Sequence, residues 1–322
     1  MSLYHRLTVE LPYQTGMRAD SYLALTGMIT RSQIKARKGQ LVINGKPRKL
    51  SFNVQNDDVI EISLEDIVSD SFQAEDIPVN VLFENERVIV LNKAQGLVVH
   101  PGAGNRSGTL VNALLARRNI KETGDFISFR PFIVHRLDKD TSGVLIAAWD
   151  SDALEFLQRQ FRERTVKKRY IAITRGAPVL EQGVIDAPLA RDIRNRKRFA
   201  VAKQGKIART HYRLIKRWIL NDGTVYSLLL LSPQTGRTHQ IRVHLKYIGC
   251  PVLGDPIYGD AGRCFPHTTL ALHAKKLSIK LPGEDKMSVF RAPVPERFKE
   301  IIKSLSLRRG FLFQCVPPRE PF

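Results

Sequence analysis

Asp138 lies in the run His135-Arg136-Leu137-Asp138-Lys139-Asp140-Thr141-Ser142-Gly143, where a carboxylate stands between an apolar stretch and a glycine turn. A carboxylate fixed on a short charged loop can attack an electron-poor carbon or take up a proton, and loops on rigid supports are where such chemistry concentrates. The same residue types also make ordinary turns, in which Asp138 would only cap the backbone. Two further clusters bear on that choice. The run Thr235-Gly236-Arg237-Thr238-His239-Gln240-Ile241-Arg242-Val243-His244 gathers two arginines and two histidines, and Lys168-Arg169-Tyr170 puts an aromatic ring on the alternating strand Val166–Ala172. By pattern alone Tyr170 is core filling. Arg237 by itself is a structural arginine near a helix start, where the helix dipole disfavours positive charge, and that placement argues for a specific anionic partner.

These residues need supports. Pro131-Phe132-Ile133-Val134 and Val144–Ala148 read as apolar strands on either side of the Asp138 loop. Further strands are expected at Val79–Phe83, at Arg87–Asn92, and at Trp218–Leu220 and Val225–Leu231, the last two joined through Asn221-Asp222-Gly223. An Asp-Gly pair between apolar runs signals a hairpin. Helices are expected from Leu110, capped by Thr109, and from Ser151 as cap, with Leu154, Leu157 and Phe161 on one face. A third is expected to start at Thr238, to carry Ile241, Leu245 and Ile248 on one side, and to stop at Gly249 before Pro251. Hairpin-linked strands with inserted helices predict an α+β domain with a mixed, largely antiparallel sheet.

At 322 residues the chain exceeds one typical domain, so a large and a small one are expected. The small one lies at residues 1–62, with helical stretches around Asp20–Leu23 and Arg31–Ile34 and a strand turning tightly at Asn44-Gly45. Basic residues crowd it, among them Arg31, Lys35 and Lys46. Residues 63–75 are polar and acidic and read as a linker, 76–305 as the large domain and 306–322 as a basic tail.

A formal charge of +20, from 51 Lys and Arg against 31 Asp and Glu, points to a polyanionic partner, nucleic acid before an anionic membrane surface. No stretch is long and apolar enough to span a bilayer. Cys250, Cys264 and Cys315 are odd in number and unpaired in spacing, so neither a disulfide framework nor a zinc knuckle is indicated. No apolar signal core follows Met1–Arg6, and a cytoplasmic location is expected. There is no Walker-type loop, and Gly102–Gly108 misses the dinucleotide spacing. His135, His239 and His244 lack a recognised metal spacing, so no metal is expected.

In this order, the Asp138, Tyr170 and Arg237 motifs closely resemble those of RluA/RluD-type pseudouridine synthases. Asn92-Lys93 with Gly96–Gly102 matches the family's opening motif, though Lys93-Ala94 replaces the usual Lys-Pro. Leu272-His273-Ala274 and Ala292-Pro293-Val294-Pro295 match its closing strand and tail, and Val98-Val99-His100-Pro101-Gly102 favours the RluD branch. The resemblance covers Asp76 to Phe298 and implies the pseudouridine synthase fold. The N-terminal stretch is similar to the small αL, or S-four-like, RNA-binding domain, with Ala19 where a leucine is usual.

The resemblance implies isomerisation of uridine to pseudouridine without a cofactor: the N1–ribose bond breaks, the base rotates, and it is rejoined through carbon-5. Asp138 would attack the anomeric carbon, add to carbon-6, or remove the ribose 2′ proton, three routes that the sequence leaves open. Arg237 would pair with Asp138, keeping it charged and oriented. Tyr170 would stack on the base extruded from the RNA. Arg136 would fill the gap or contact a phosphate, with His135 and Ile241 on the substrate side and Arg31, Lys35 and Lys46 gripping RNA. The implied substrate is large-subunit ribosomal RNA or a pre-ribosomal particle. A transfer-RNA synthase and a non-catalytic ribosome-assembly protein are the competing readings.

Overall fold

Every second residue of Val59–Leu64 is buried, Ile60, Ile62 and Leu64 turning inward, as a strand with one face on a core requires. The computed structural model describes residues 3–11, 16–26, 34, 39–64, 73–101, 105–119, 132–195, 198–259, 265 and 267–308. They fall into two compact units, one within Met1–Ser71 and the other within Phe72–Thr123 and Ile127–Phe322.

In the first unit the strands are β1 (Leu3–Thr8), β2 (Met17–Arg18), β3 (Gln40–Ile43), β4 (Lys46–Arg48), β5 (Asn53–Val54) and β6 (Val59–Leu64), with one helix, α1 (Ala19–Leu25), among the described residues. An antiparallel sheet in the order β1-β6-β3-β4 covers a core of Tyr22, Leu23, Leu41, Ile43, Ile60 and Ile62, and β2 pairs with β5. The expected turn between β3 and β4 is made by Asn44 and Gly45 at φ 50° and 74°, the left-handed pair that a two-residue hairpin needs. Strand β6 runs on to Leu64, two residues past the expected end of this region at residue 62. The helical stretch expected around Arg31–Ile34 lies, Ile34 aside, outside the described residues, as do 65–72 of the linker and 309–322 of the tail.

The second unit is built from β7 (Asn80–Glu84), β8 (Val88–Lys93), β9 (Phe132–Ile133), β10 (Ser142–Ala148), β11 (Lys167–Arg175), β12 (Gln182–Asp186), β13 (Leu189–Arg191), β14 (Phe199–Val201), β15 (Arg209–Ile219), β16 (Val225–Pro233), β17 (Leu272–Lys280) and β18 (Met287–Arg291). Its helices are α2 (Leu110–Arg117), α3 (Ser151–Glu163), α4 (Gln240–Tyr247) and α5 (Glu296–Leu307). Among the described residues ten strands form one sheet, in the order β12-β15-β16-β11-β17-β10-β8-β7, with β18 beside β17 and β9 beside β10. Only β10 and β17 pair in parallel in it, so the sheet is mixed and largely antiparallel. The small pair β13–β14 stands apart from it.

Strand β10 is buried at every position, the mark of a strand covered on both faces. Val144, Ile146 and Ala148 meet Ala153 and Leu157 of α3, while Leu145 and Ala147 meet Leu110 and Leu114 of α2. Thr109 caps α2 in a reciprocal box with Asn112. The cap of α3 is Asp150 and not Ser151: its Oδ1 accepts the Ala153 N–H at 2.7 Å, and the same carboxylate binds Arg87. A carboxylate at this end also brings a negative charge to the positive helix terminus, which a hydroxyl lacks. Helix α4 begins at Gln240, after a left-handed His239, so Thr238 belongs to the preceding loop.

Candidate active site

The loop from Val134 to Thr141 is rigid because its backbone groups have partners. The Asp138 carbonyl accepts the Thr141 N–H at 3.1 Å, and the Lys139 carbonyl accepts the Gly96 N–H at 2.9 Å. Lys93, 2% exposed, donates from Nζ to the carbonyls of Ala94, Leu97 and Lys139 at 2.8, 2.8 and 3.0 Å. Burial, against the charges of Asp140 and Asp138, brings its pKa down to about 8. All three ammonium protons have acceptors, so Lys93 ties the opening motif to the loop that carries Asp138.

The loop ends in Ser142 and Gly143, which are already strand, beside His273 and Ala274 of β17. Gly143 has φ +116°, and a Cβ there would stand 2.2 Å from the Ala274 carbonyl oxygen. Only glycine allows this approach.

Asp138 is paired with Arg242, whose Nη1 lies 3.2 Å from Oδ2. The expected pair with Arg237 does not form. The Arg237 side chain is exposed, and its Nε donates to the Ile207 carbonyl at 3.2 Å. The reason is where α4 starts: Arg242 lies within the helix and is buried, whereas Arg237 stays in the loop before it. Gln240 fixes that loop, its Oε1 accepting from Thr235 Oγ1 and the Arg237 N–H, and its Nε2 donating to the Arg209 carbonyl and Thr210 Oγ1.

On its other edge Arg242 donates from Nε and Nη2 to the two oxygens of Asp255, each at 2.7 Å. Asp255 also accepts the N–H groups of Ile257 and Tyr258. Burial opposes both charges, yet the mutual bond holds the Asp255 carboxyl below, and the Arg242 guanidinium above, the ordinary value. One cation thus serves two carboxylates. The side chain of Asp255 is 0% exposed and that of Asp138 21%, so the surplus negative charge sits at the accessible carboxylate.

Asp138, Tyr170, Arg136, Arg237, His135 and Ile241 line a single cavity of ≈ 610 Å³, within the range of small-ligand sites. Tyr170 is half-buried on β11, between Leu231 and Ala274. Burial, and then the charge of Asp138, pushes its phenol above the ordinary value, so the ring is a neutral platform and not a phenolate. His135 is not free to bind a ligand through both nitrogens. Its Nε2 accepts the Ile146 N–H at 3.2 Å and its ring stacks on Phe161 at 4.8 Å. Burial, followed by the charge of Lys168, takes its pKa down to about 3.

Ile241 is buried in the wall, and Arg136 is exposed at the rim. Lys46 is exposed on β4 of the first unit, while Arg31 and Lys35 lie outside the described residues. His244 engages Thr210 Oγ1 and the Ala187 carbonyl, and among the described residues no group of three His, Cys, Asp or Glu is placed to hold a metal ion. No helix among them is long and apolar enough to cross a membrane.

Residues 87–247, which contain the whole of this constellation except Asp255, match the family model of RNA pseudouridylate synthases. The chain is 43% identical over 294 residues to a ribosomal large subunit pseudouridine synthase D of Borreliella burgdorferi, covering 88% of each protein. The chain belongs to the RNA pseudouridylate synthase family. An uncharacterized RNA pseudouridine synthase of Bacillus subtilis is 38% identical over 91% of this chain and 95% of its own. Among solved structures, human RNA pseudouridylate synthase domain containing 1 superposes with a TM-score of 0.55 at 26% identity, over 72% of this chain and 96% of its own.

This pseudouridine synthase is therefore an isomerase, and its cavity places a carboxylate, a cation that orients it and an aromatic face together. Asp138 and Tyr170, expected from the motifs, both line the cavity, whereas the contacts of Arg242, Asp255 and Lys93 were not expected. Arg242 stands inside the run Thr235–His244, so only its geometry was hidden. For Asp255 the available signal was Gly254-Asp255-Pro256, an acidic residue on a tight turn after the buried Val252 and Leu253.

Proposed function

We propose that this synthase isomerises uridines of large-subunit ribosomal RNA in the cytoplasm, with Asp138 as the nucleophilic carboxylate. The observation that carries this reading is the Asp138–Arg242 pair opening onto the same cavity as the Tyr170 ring. The relative from Borreliella burgdorferi, named for the ribosomal large subunit, supports the choice of RNA.

The target nucleotide leaves its stack at a cost of a few kcal/mol, and its uracil rests on Tyr170. The bonding pair of the N1–C1′ bond leaves with the base while the Asp138 carboxylate captures the sugar or takes its 2′ proton. The base turns and carbon-5 attacks C1′, displacing the carboxylate from the sugar on the first route or, on the second, as the 2′ proton is returned to C2′; carbon-5 then loses its proton and N1 gains one. Nothing is added overall, so no cofactor is consumed. Arg136, exposed at the rim, fills the gap left in the RNA or binds a flanking phosphate. The first unit acts as an S-four-like RNA-binding domain, in which Arg31, Lys35 and Lys46 supply phosphate contacts.

The test is to incubate the purified protein and an Asp138→Asn variant with large-subunit ribosomal RNA fragments and with transfer RNA, and to score pseudouridine. The expected result is conversion of ribosomal RNA by the native protein and none by the variant, with RNA binding kept within about threefold. Conversion confined to transfer RNA would overturn the substrate, and an active Asp138→Asn would overturn the nucleophile.

A further inference from the structure

We propose that His239 donates its Nε2–H to a carbonyl oxygen of the target uracil and stabilises the anion that the base becomes on leaving the sugar, with Tyr258 as the positioning residue that sets its tautomer. The inference rests on the uridine reading above and adds a substrate contact to it.

The ring's tautomer follows from counting protons. Tyr258 Oη accepts the Phe199 N–H at 2.8 Å and lies 2.9 Å from His239 Nδ1. These are the two partners of the phenol oxygen among the described residues, so its proton finds an acceptor only by being donated to Nδ1. Nδ1 is then the acceptor, and the proton of the neutral imidazole sits on Nε2. Burial lowers the ring's pKa, with the charge of Asp138 opposing, so the imidazole is neutral at pH 7.

The ring is held in place as firmly as its proton. His239 has φ +56°, a left-handed conformation rare outside glycine, immediately before α4. Such strain persists where the surroundings impose it and clusters at working sites. Here Tyr258 and Phe199 each meet the imidazole in a T-shaped contact, with ring centroids at 5.5 and 5.9 Å. Tyr258 is 5% exposed, and Arg242 lies over its ring at 5.2 Å. One tyrosine thus touches the cation that orients Asp138, the histidine of the cavity wall and strand β14.

The chemistry needs such a donor. When the N1–C1′ bond breaks, its electron pair goes to the base and spreads over N1 and the two ring carbonyls. Arg242 is already bound by two carboxylates. His239 lines the cavity, and a neutral N–H presented to the base there would strengthen its bond as negative charge develops, which favours the transition state over the bound substrate.

The experiment uses the full chain in single-turnover assays on a ribosomal RNA fragment carrying either uridine or 5-fluorouridine at the target. The fluorine makes the base a better leaving group, and loss of the original N-glycoside is the readout. His239→Asn tolerates the left-handed backbone and removes the imidazole. We expect it to slow cleavage on the order of 100-fold with uridine, and much less with 5-fluorouridine. Tyr258→Phe keeps the ring and loses the hydroxyl. It should give a smaller loss that vanishes in the double variant. A rate within about twofold of the native protein, or an equal loss on both substrates, would overturn the role of His239. Full additivity of the two variants would overturn the role of Tyr258. A native protein that cleaves neither RNA would instead overturn the uridine reading.

Discussion

Arg242 reaches Asp138 through Nη1 alone, because Nε and Nη2 are both bound to Asp255. The pair is therefore a branch of a three-residue cluster whose fixed part is the buried Asp255–Arg242 fork. A guanidinium presents its donors in a rigid plane, so fixing one edge aims the other. Asp255→Asn keeps the shape and removes the charge. It should lower stability by about 3 kcal/mol, because a buried cation loses its main partner. It should also lower the single-turnover rate on the order of 10-fold or more, with RNA affinity little changed. Denaturant unfolding and pseudouridine scoring on the same preparation check both. A variant of native stability and rate would show that Asp138 alone orients Arg242.

Arg237 and Arg242 should separate cleanly. Arg242→Ala removes the ion-pair partner of Asp138 and leaves two carboxylates, one of them fully buried, without their cation, so turnover should fall to background. Arg237 is exposed and bonds a carbonyl, so Arg237→Ala should change stability by no more than about 0.5 kcal/mol. Its effect should be a weaker RNA complex with a shallower salt dependence, as expected for one lost phosphate contact. Salt titrations of binding beside single-turnover rates distinguish the two, and a kcat collapse in Arg237→Ala with native affinity would reverse the assignment.

Which arginine meets Asp138 was not legible in the sequence, although the run containing both was. Local signals were: Asn44-Gly45 and Asp222-Gly223 made their turns, with Gly45 and Gly223 at positive φ, Thr109 capped its helix, and Val144–Ala148 formed the buried strand. These depend on neighbouring residues. The Arg242 contact depends on the helix starting at Gln240, which the left-handed His239 and the bonds of Gln240 decide. The parts played by Asp255 and Lys93 are tertiary: one bonds across 13 residues and the other across 46. The neutral state of His135 likewise comes from burial first, with Phe161 stacked on the ring, and then from the charge of Lys168, both on other elements.

Acid should weaken the fold through two histidines. His135 and His273 are held at about 3 and about 4, by burial first and then by Lys168 for one and by Arg297 and Lys275 for the other. Below the ordinary value near 6.5 the unfolded chain takes up protons that the folded chain refuses. Stability therefore falls with pH from about 6.5 down towards 4, and at pH 5 each ring accounts for a loss of up to about 2 kcal/mol. His135→Gln and His273→Asn should each flatten the fall between pH 7 and pH 5 in urea titrations. If both variants kept the native slope, other groups would be responsible.

Gly143 tests how tightly the loop exit is built. Two penalties meet there: a left-handed φ of +116°, and the 2.2 Å approach that an added Cβ would make to the Ala274 oxygen, which is backbone and cannot rotate away. Gly45 carries only the first, at φ +74° with nothing within 4 Å. Gly45→Ala should therefore cost about 1 kcal/mol, whereas Gly143→Ala should exceed about 4 kcal/mol or prevent folding. Because β10 pairs with β17 through Ser142 and Gly143, relief of the clash would have to part those strands directly behind Asp138. Any Gly143→Ala protein that does fold should then lose turnover while its RNA affinity stays near native. Equal, mild costs at both glycines would mean that β10 and β17 can separate without disturbing the site.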